Sequence, residues 1–267
     1  NELMKIAIIG AGNLGKSIAK GLITTNAITT LYLTRRNVDS IKDFEGYKNI
    51  VLTSDNAEAV KNSDILIFAV QPAHLEKILI NIKPFLHDNH VLISTITGFS
   101  ISRMENIIGE DKFVIRTMPN TAISVGKSMT CLCSNEKGKG RIKIAEAIFN
   151  RLGTSIEIPE EKMQAATVIC ASGIAFWMRL IRATTQGAIQ LGFEAKEAQE
   201  LAMHTCYGAA SLLIQSGNHP EQEIDRVTTP MGCTIEGLNE MEHQGLSSSL
   251  IKGLITSFEK INQIKKN

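Results

Sequence analysis

A short glycine-rich segment near the start of the chain has the spacing that cradles phosphate groups. Gly10, Gly12 and Gly15 form a G-x-G-x-x-G pattern between a strand-like run and a helical stretch. The first glycine permits a tight turn, the second lets the backbone approach a pyrophosphate, and the third allows the helix to pack closely on the strand. Free N–H groups at the helix start attract the anion. The predicted cofactor contacts in this segment are Gly10, Gly12, Asn13, Leu14 and Gly15.

The end of the second strand-like run discriminates between the two nicotinamide dinucleotides. Enzymes that use NAD place an Asp or Glu there, which accepts a hydrogen bond from the ribose 2′-hydroxyl. This chain instead has Thr34, Arg35 and Arg36, with no acid. Guanidinium groups bind phosphate oxygens in a bidentate manner. The sequence therefore predicts NADP(H) as cofactor, with NADPH preferred over NADH, and a solvated basic turn is the alternative interpretation.

Two later strand-like runs end at what should be the same edge of a sheet. Val70, Gln71 and Pro72 follow one run, and Thr97 and Gly98 follow the other. Ligands of doubly wound folds bind outside the carboxyl ends of the strands. We therefore expect these five residues to lie beside the nicotinamide half of the cofactor. Proline and glycine that merely end strands are the alternative.

Strand-like runs alternate with helical patterns over the first 158 residues. This alternation predicts an α/β fold, a Rossmann-type, doubly wound parallel sheet covered on both faces. The predicted strands are Lys5–Ile9, Leu31–Thr34, Ile50–Thr53, Ile65–Val70, His90–Ser94 and Lys112–Thr117, and the helices between them are Leu14–Ile23, Val38–Phe44, Asp55–Lys61, Ala73–Ile80 and Ile101–Ile107.

The pattern changes after Pro159, where apolar residues recur every three or four positions. Such spacing predicts helices at about 160–191, 194–216, 233–243 and 247–263. We therefore divide the chain into a dinucleotide-binding domain, residues 1–158, and an all-helical substrate and dimerisation domain, residues 159–267. The broad apolar faces of the helices favour a homodimer, because so short a helical domain seldom buries them alone.

Composition excludes several classes of function. The chain has 28 basic and 27 acidic side chains and a net charge of +1, so it has no broad field for nucleic acid or an anionic membrane. The apolar stretches near 64–70 and 165–181 are too short or too interrupted to predict a membrane span. No charged and apolar leader precedes the first strand, which favours the cytoplasm. Five cysteines without a C-x-x-C pair predict neither a metal site nor a disulfide framework.

Two further motifs are similar to one family. The segments are Met118-Pro119-Asn120-Thr121 and Thr229-Pro230-Met231-Gly232-Cys233-Thr234. Both resemble motifs of the pyrroline-5-carboxylate reductase family, and the resemblance spans nearly the whole chain. In the nucleotide half, Gln71 replaces the lysine of the family's AVKPQ segment and Ala122 replaces a proline. Asn56 matches a position that contacts the adenosine side of the cofactor in the family.

The resemblance implies a reaction and the residues that perform it. The family reduces the cyclic imine 1-pyrroline-5-carboxylate to L-proline, with hydride transfer from NADPH to C5, and forms dimers and larger rings of dimers. Thr234 is implied as the catalytic hydrogen-bond partner of the imine nitrogen, although a helix cap is the alternative. Backbone N–H groups at the start of the predicted helix 233–243 suit the substrate carboxylate. The implied substrate contacts are Met118, Asn120, Thr229, Gly232 and Cys233.

Departures from the family leave other functions open. Met231 stands where the family has glycine, so a Cβ and a thioether are expected to crowd the substrate loop. Cys170 begins a segment that reads S-G-S-G-P-A-Y in the family. An NADPH-dependent reductase of another small imine or keto acid is one alternative. A non-catalytic NADPH-binding sensor, with its loop closed by Met231, is another. A 3-hydroxyacid dehydrogenase is disfavoured, because such enzymes use a lysine on the first long helix of the second domain. Residues 163–182 of this chain contain no lysine.

Overall fold

The chain folds into two compact units. The structure, a computed structural model, describes residues 4–24 and 28–264. The first unit extends to Ala171 and the second begins at Ser172. The strands, all in the first unit, are β1 (Met4–Ile9), β2 (Ile28–Thr34), β3 (Ile50–Thr53), β4 (Ile65–Phe68), β5 (Val91–Ser94), β6 (Phe113–Met118), β7 (Ser128–Ser134) and β8 (Gly153–Glu157). The first unit's α-helices are α1 (Asn13–Ile23), α2 (Asn56–Lys61), α3 (Pro72–Ile82), α4 (Ile101–Ile108), α5 (Ile142–Phe149) and α6 (Met163–Ala166).

The strands form one eight-stranded sheet in the order β3-β2-β1-β4-β5-β6-β7-β8. Every neighbouring pair is parallel except β6 and β7, which are antiparallel. The predicted doubly wound parallel sheet is confirmed, with one antiparallel pair at β7. A short turn, Thr121–Val125, joins β6 to β7, and a turn of that length allows only an antiparallel pair.

Both faces of the sheet are buried. Along β1, Ile6 and Ile8 pack into one apolar cluster, and Ala7 and Ile9 pack into a second. Successive side chains of a strand point to opposite faces, so an unbroken apolar run is typical of a strand covered on both sides. Helices α1 and α5 contribute to the first cluster, and α3 and α4 to the second.

Some elements differ from the predictions. The stretch Val38–Phe44 is a 3₁₀ helix, because the Asn37 side chain accepts a hydrogen bond from the Asp39 N–H and sets a tight turn. Strand β8 and helix α5 were not predicted, nor was the short helix Pro220–Val227. The β8 strand lies at the sheet edge, and its residues are half-buried or exposed, so it lacks an apolar run. A π-helical turn, Thr167–Ser172, interrupts the predicted helix 160–191.

Residues 160–171 pack on the first unit, so the compact units divide later than the predicted boundary at 158/159. The Glu160 carboxylate accepts hydrogen bonds from the Ile101 N–H, at 2.8 Å, and from the Arg116 guanidinium, at 2.9 Å. Met163 and Ala166 are buried in the second apolar cluster. This ion pair and these two side chains hold the start of the long helical stretch against the sheet.

The second unit is entirely helical among its described residues, as predicted. Its helices are α7 (Gly173–Gln190), α8 (Ala195–Ser216), α9 (Pro220–Val227), α10 (Cys233–His243) and α11 (Leu246–Ile264). Helices α7 and α8 pack against each other. His219 caps α9, accepting a hydrogen bond from the Glu221 N–H.

The helical stretch Glu160–Gln190 agrees in length with the helix predicted at about 160–191. By length and composition it is apolar enough to cross a membrane, whereas the sequence analysis expected the apolar stretch near 165–181 to be too short or too interrupted for that. Only 17% of its most apolar window is buried within the chain. Trp177 and Met178 in this stretch are exposed in the single chain. Exposed apolar side chains of this size are typical of a surface that binds another molecule.

Candidate functional site

The carboxyl ends of five strands lie side by side in register. Thr34 pairs with Ile9 on one side and with Thr53 on the other. Phe68 of β4 pairs with Ile9 and with Ser94 of β5. The segments that follow these five residues are therefore neighbours at one edge of the sheet, where doubly wound folds bind ligands.

The glycine-rich loop has the predicted geometry. Gly10 adopts φ +94°, and its N–H and that of Ala11 donate to the Thr34 carbonyl. A Cβ on Gly15 would lie 2.7 Å from the Gly10 carbonyl oxygen, whereas a Cβ on Gly12 would meet nothing within 4 Å. Gly15 thus serves the packing of α1 on β1. Gly12 leaves the space above the loop open, as a pyrophosphate requires.

The start of α1 is free to bind an anion. Gly12 is the N-cap residue, no described side chain caps it, and the first turn contains no acid. A helix N-terminus in this state presents unpaired N–H groups and the positive end of the helix dipole. The chain therefore has the backbone cradle of a dinucleotide site.

A cleft of about 900 Å³ opens above the loop. Eight predicted cofactor residues line it: Gly10, Gly12, Thr34, Arg35, Arg36, Asn56, Val70 and Gln71. Within the described part of the chain, its lining residues include the cations Arg35, Arg36 and Lys77 but no Asp or Glu. A cleft of this charge suits a ligand that carries several phosphates.

The two arginines of the basic turn have different contacts. The Arg35 guanidinium donates to the Ala11 carbonyl at 3.2 Å and so also holds the glycine-rich loop. The Arg36 guanidinium reaches across the cleft and donates to Nδ1 of His74 at 3.4 Å. Thr34 is buried, and its hydroxyl accepts from the Gly10 N–H at 3.3 Å. Thr34 therefore fixes the loop, and the arginines retain further donors for phosphate oxygens.

Six predicted cofactor residues do not line this cleft. Leu14 packs against the apolar core and Gly15 is buried, so each can offer a ligand only its backbone. Pro72 is the first residue of α3, and Asn13 the first of α1. Thr97 and Gly98 are exposed after β5, and Gly98 has φ +80°. They lie at the predicted edge, and their contact with a cofactor stays a prediction.

The sequence analysis missed four cleft residues on α3. His74, Lys77, Ile78 and Asn81 line the cleft. Their spacing is that of one helix face. This polar stripe opposite Leu75 and Leu79 was visible in the sequence. It was not connected with the cofactor, because only the tertiary structure brings α3 to face the basic turn.

The two predicted substrate residues at the end of β6 and in the turn that follows it are engaged within the first unit. Met118 is 6% exposed, and its sulfur accepts a hydrogen bond from the Thr167 hydroxyl. The Asn120 side chain accepts from the Ala122 N–H and donates to the Cys170 carbonyl at 3.1 Å. Met118 is therefore largely buried, and Asn120 connects this turn to the π-helical turn. Contacts of both residues with a substrate stay predictions.

The cysteine thiols of the first unit differ in their pKa values. The pKa of Cys170 is lowered to about 7 by a hydrogen bond with the Cys131 side chain. The same hydrogen bond, followed by burial, raises the pKa of Cys131. Burial raises the pKa of Cys133 to about 12. All five cysteines are free, and no cluster of potential metal ligands is present in residues 4–24 and 28–264.

The remaining predicted substrate residues form a tight turn in the second unit. The Gly232 N–H donates to the Thr229 carbonyl at 3.0 Å, and Met231 between them has φ +56°. The Met231 side chain is 97% exposed. Within its own unit it therefore does not fill the loop, and crowding of a bound substrate by Met231 stays a prediction. A Cβ on Gly232 would lie 2.3 Å from the Thr229 hydroxyl, so this position tolerates only glycine without rearrangement.

Helix α10 begins directly after this turn. Gly232 is its N-cap, and no side chain of the described residues caps it. Thr234 is the second residue of the helix and is half-buried. None of the hydrogen bonds found between described residues involves its hydroxyl, so the alternative that Thr234 is a satisfied cap is not supported. Cys233 is exposed in the first position. The start of α10 thus presents free backbone donors and the Thr234 hydroxyl.

Fold and site together define a Rossmann-type nucleotide-binding protein with a separate helical unit. Residues 5–98 match the family described as NADP oxidoreductase, coenzyme F420-dependent. Residues 160–264 match the family described as pyrroline-5-carboxylate reductase dimerisation. The chain belongs to the pyrroline-5-carboxylate reductase family.

Individual proteins agree with this assignment. The chain is 43% identical to pyrroline-5-carboxylate reductase 1 of Dictyostelium discoideum over 96% of its own length, but spans only 49% of that relative. It is 40% identical to pyrroline-5-carboxylate reductase 2 of the same organism, covering 96% of this chain and 91% of the relative. The structure of Plasmodium falciparum pyrroline carboxylate reductase with NADP bound has a TM-score of 0.81 at 27% identity, covering 97% of each chain.

Proposed function

We propose that this protein is an NADPH-dependent reductase that converts 1-pyrroline-5-carboxylate to L-proline. The observation that carries the proposal is the cationic cleft at the carboxyl edge of the sheet, in a chain of the pyrroline-5-carboxylate reductase family. NADPH, when bound, supplies the hydride that the imine carbon C5 accepts. The chain's own residues bind and orient the two reactants and donate hydrogen bonds to the substrate.

Preference for NADPH over NADH rests on the charge of the cleft. Its described lining residues include Arg35 and Arg36 at the position where NAD enzymes have an acid, and no carboxylate. A 2′-phosphate would gain charge-assisted hydrogen bonds there, and NADH lacks that group. The open space over Gly12 and the uncapped start of α1 fit the pyrophosphate.

On the substrate side, the turn 229–234 supplies the donors. The free N–H groups at the start of α10 favour a carboxylate. The Thr234 hydroxyl, in the first turn of the same helix, is the group that we assign to the imine nitrogen. A hydroxyl is a weak acid, so Thr234 acts as a hydrogen-bond donor that orients the ring. Contacts of Thr229, Gly232, Cys233 and Asn120 with the substrate belong to the same proposal.

The partners follow from the helical unit. Its dimerisation family and the exposed apolar side chains of α7 and α8 support a homodimer formed through this unit. We also propose that the dimers assemble into a larger ring, which the mass of the protein in solution would reveal. We also propose that the exposed face of residues 160–190 is covered by a second copy of the chain, not by lipid. A cytoplasmic location and the absence of nucleic-acid partners stay predictions from the sequence.

Steady-state oxidation of NADPH and NADH with 1-pyrroline-5-carboxylate tests this function. We expect faster turnover with NADPH. Thr234→Ala should lower kcat/KM about 100-fold, because it removes a donor at the reacting nitrogen. Thr234→Ser should retain most of the activity, since it keeps the hydroxyl. Thr154→Ala, on the exposed β8 strand, is the control and should behave as the wild type.

The outcome separates the alternatives. Tight NADPH binding without oxidation of NADPH would support a non-catalytic sensor. Oxidation of NADPH only with another small imine or keto acid would show that the protein is a reductase with a different substrate. Equal loss in Thr234→Ala and Thr234→Ser would contradict the role of the hydroxyl.

A further inference from the structure

One face of α3 forms a wall of the cofactor cleft. His74, Lys77, Ile78 and Asn81 line the cleft. Leu75, on another face of α3, is buried in the core. A helix brings residues three, four and seven positions apart onto one face. The sequence of α3 thus places His74 and Lys77 on the face that lines the cleft, together with the basic turn after β2.

The two walls meet at His74. The Arg36 guanidinium can only donate, so Nδ1 of His74 accepts across the 3.4 Å contact and its proton lies on Nε2. The Nε2–H of His74 and the remaining N–H groups of Arg36 are then available to donate hydrogen bonds to an anion between the two walls.

No nearby acid neutralises this pair within the described structure. On α3, Glu76 binds Arg103 of α4 at 2.9 Å. On α2, Glu58 accepts from the Thr53 hydroxyl, and Lys61 lies over the Phe85 ring. The charged groups that line the cleft with His74 are Arg35, Arg36 and Lys77.

We propose that His74 and Lys77 of α3, together with Arg36, form the subsite for the 2′-phosphate of NADP(H). This inference rests on the proposed use of NADPH. It assigns part of the cofactor selectivity to a helix that lies outside the glycine-rich loop and the basic turn.

Binding measurements on the full-length protein test the subsite without turnover. The probes are NADPH, NADH, adenosine 2′,5′-bisphosphate and adenosine 5′-monophosphate, titrated by fluorescence or calorimetry. His74→Gln and Lys77→Met should each raise the Kd of NADPH and of the bisphosphate about five- to tenfold, a loss typical of a charge-assisted hydrogen bond. The Kd of NADH and of the monophosphate should change less than about twofold. Lys83→Met, which removes an exposed lysine outside the cleft, is the matched control.

Three results would overturn the inference. Equal weakening of NADH and NADPH in the α3 variants would place their side chains against the adenine instead of the phosphate. Unchanged NADPH binding in both variants would remove α3 from the site. A wild type that binds NADPH no better than NADH would refute the proposed cofactor preference itself, and the inference with it.

Discussion

Met231 is the one non-glycine residue with a positive φ among residues 4–24 and 28–264, at +56°. It stands where the family has glycine, and L-residues with a Cβ are disfavoured in the left-handed region by about 1–2 kcal/mol. Pro230 before it suits the second position of a tight turn, and the following position of such a turn needs a positive φ. The chain therefore keeps the geometry of this turn, although Met231 is in a strained backbone conformation.

Met231→Gly should relieve this strain. We expect the free energy of unfolding to rise by roughly 0.5–1 kcal/mol, because the relief exceeds the greater entropy of glycine in the unfolded chain. Urea unfolding measures it. Met231→Ala is the control, since it keeps a Cβ and the same φ, and should change stability little. A loss of stability in both variants would show instead that the Met231 side chain is buried in the assembled protein.

At the scale of elements, the contact of β1 with α1 decides both folding and binding. Gly12 and Gly15 belong to one motif, yet the structure gives them separate tasks. A Cβ on Gly15 would lie 2.7 Å from a backbone oxygen and 3.2 Å from the Ile8 side chain, while a Cβ on Gly12 would enter open space. One glycine thus permits packing and the other permits a ligand.

Substitution by alanine separates these tasks. Gly15→Ala should lower the free energy of unfolding by about 1–3 kcal/mol, because α1 must move away from the loop. Gly12→Ala should leave the stability of the free protein nearly unchanged and raise the Kd of NADPH about tenfold or more, since the methyl group would occupy the space of the pyrophosphate. Thermal unfolding without cofactor, followed by NADPH titration, measures both. Equal destabilisation by the two variants would contradict the division.

On the scale of the whole molecule, the second unit has many large apolar side chains that are exposed in the single chain. Large exposed side chains include Trp177, Tyr207, Leu212, Ile214, Ile251 and Ile255. Exposed apolar side chains in such number are typical of an interface, and a closed symmetric dimer is the commonest way of covering them. The match to a dimerisation family agrees with this physical requirement.

Leu212→Asp should therefore weaken the dimer, because it places a charge in an apolar interface. Light scattering coupled to gel filtration should show a lower mass, or a mass that falls on dilution. Ile80→Asp changes a side chain of similar exposure, 55% against 58%, on α3 of the first unit. It serves as the control and should leave the mass unchanged. Loss of mass in both variants would indicate general unfolding, and loss in neither would remove Leu212 from the interface.

The sequence by itself determined the class of fold and half of the residues that line the cofactor cleft. Buried strands appear as short apolar runs, and a glycine motif with its basic turn is contiguous in the chain, so local patterns are sufficient to predict them. The same reasoning missed β8, because its exposed edge residues have no apolar periodicity.

Only the tertiary structure decided which side chains are free to act. Met118 looked available from its motif but is buried with its sulfur bonded to Thr167, and Asn120 is engaged with Cys170. His74 and Lys77 reach the cleft because the sheet order places β4, and the α3 helix that follows it, beside β1. Burial and contacts between distant segments depend on the packing of the whole sheet, which no local spacing encodes.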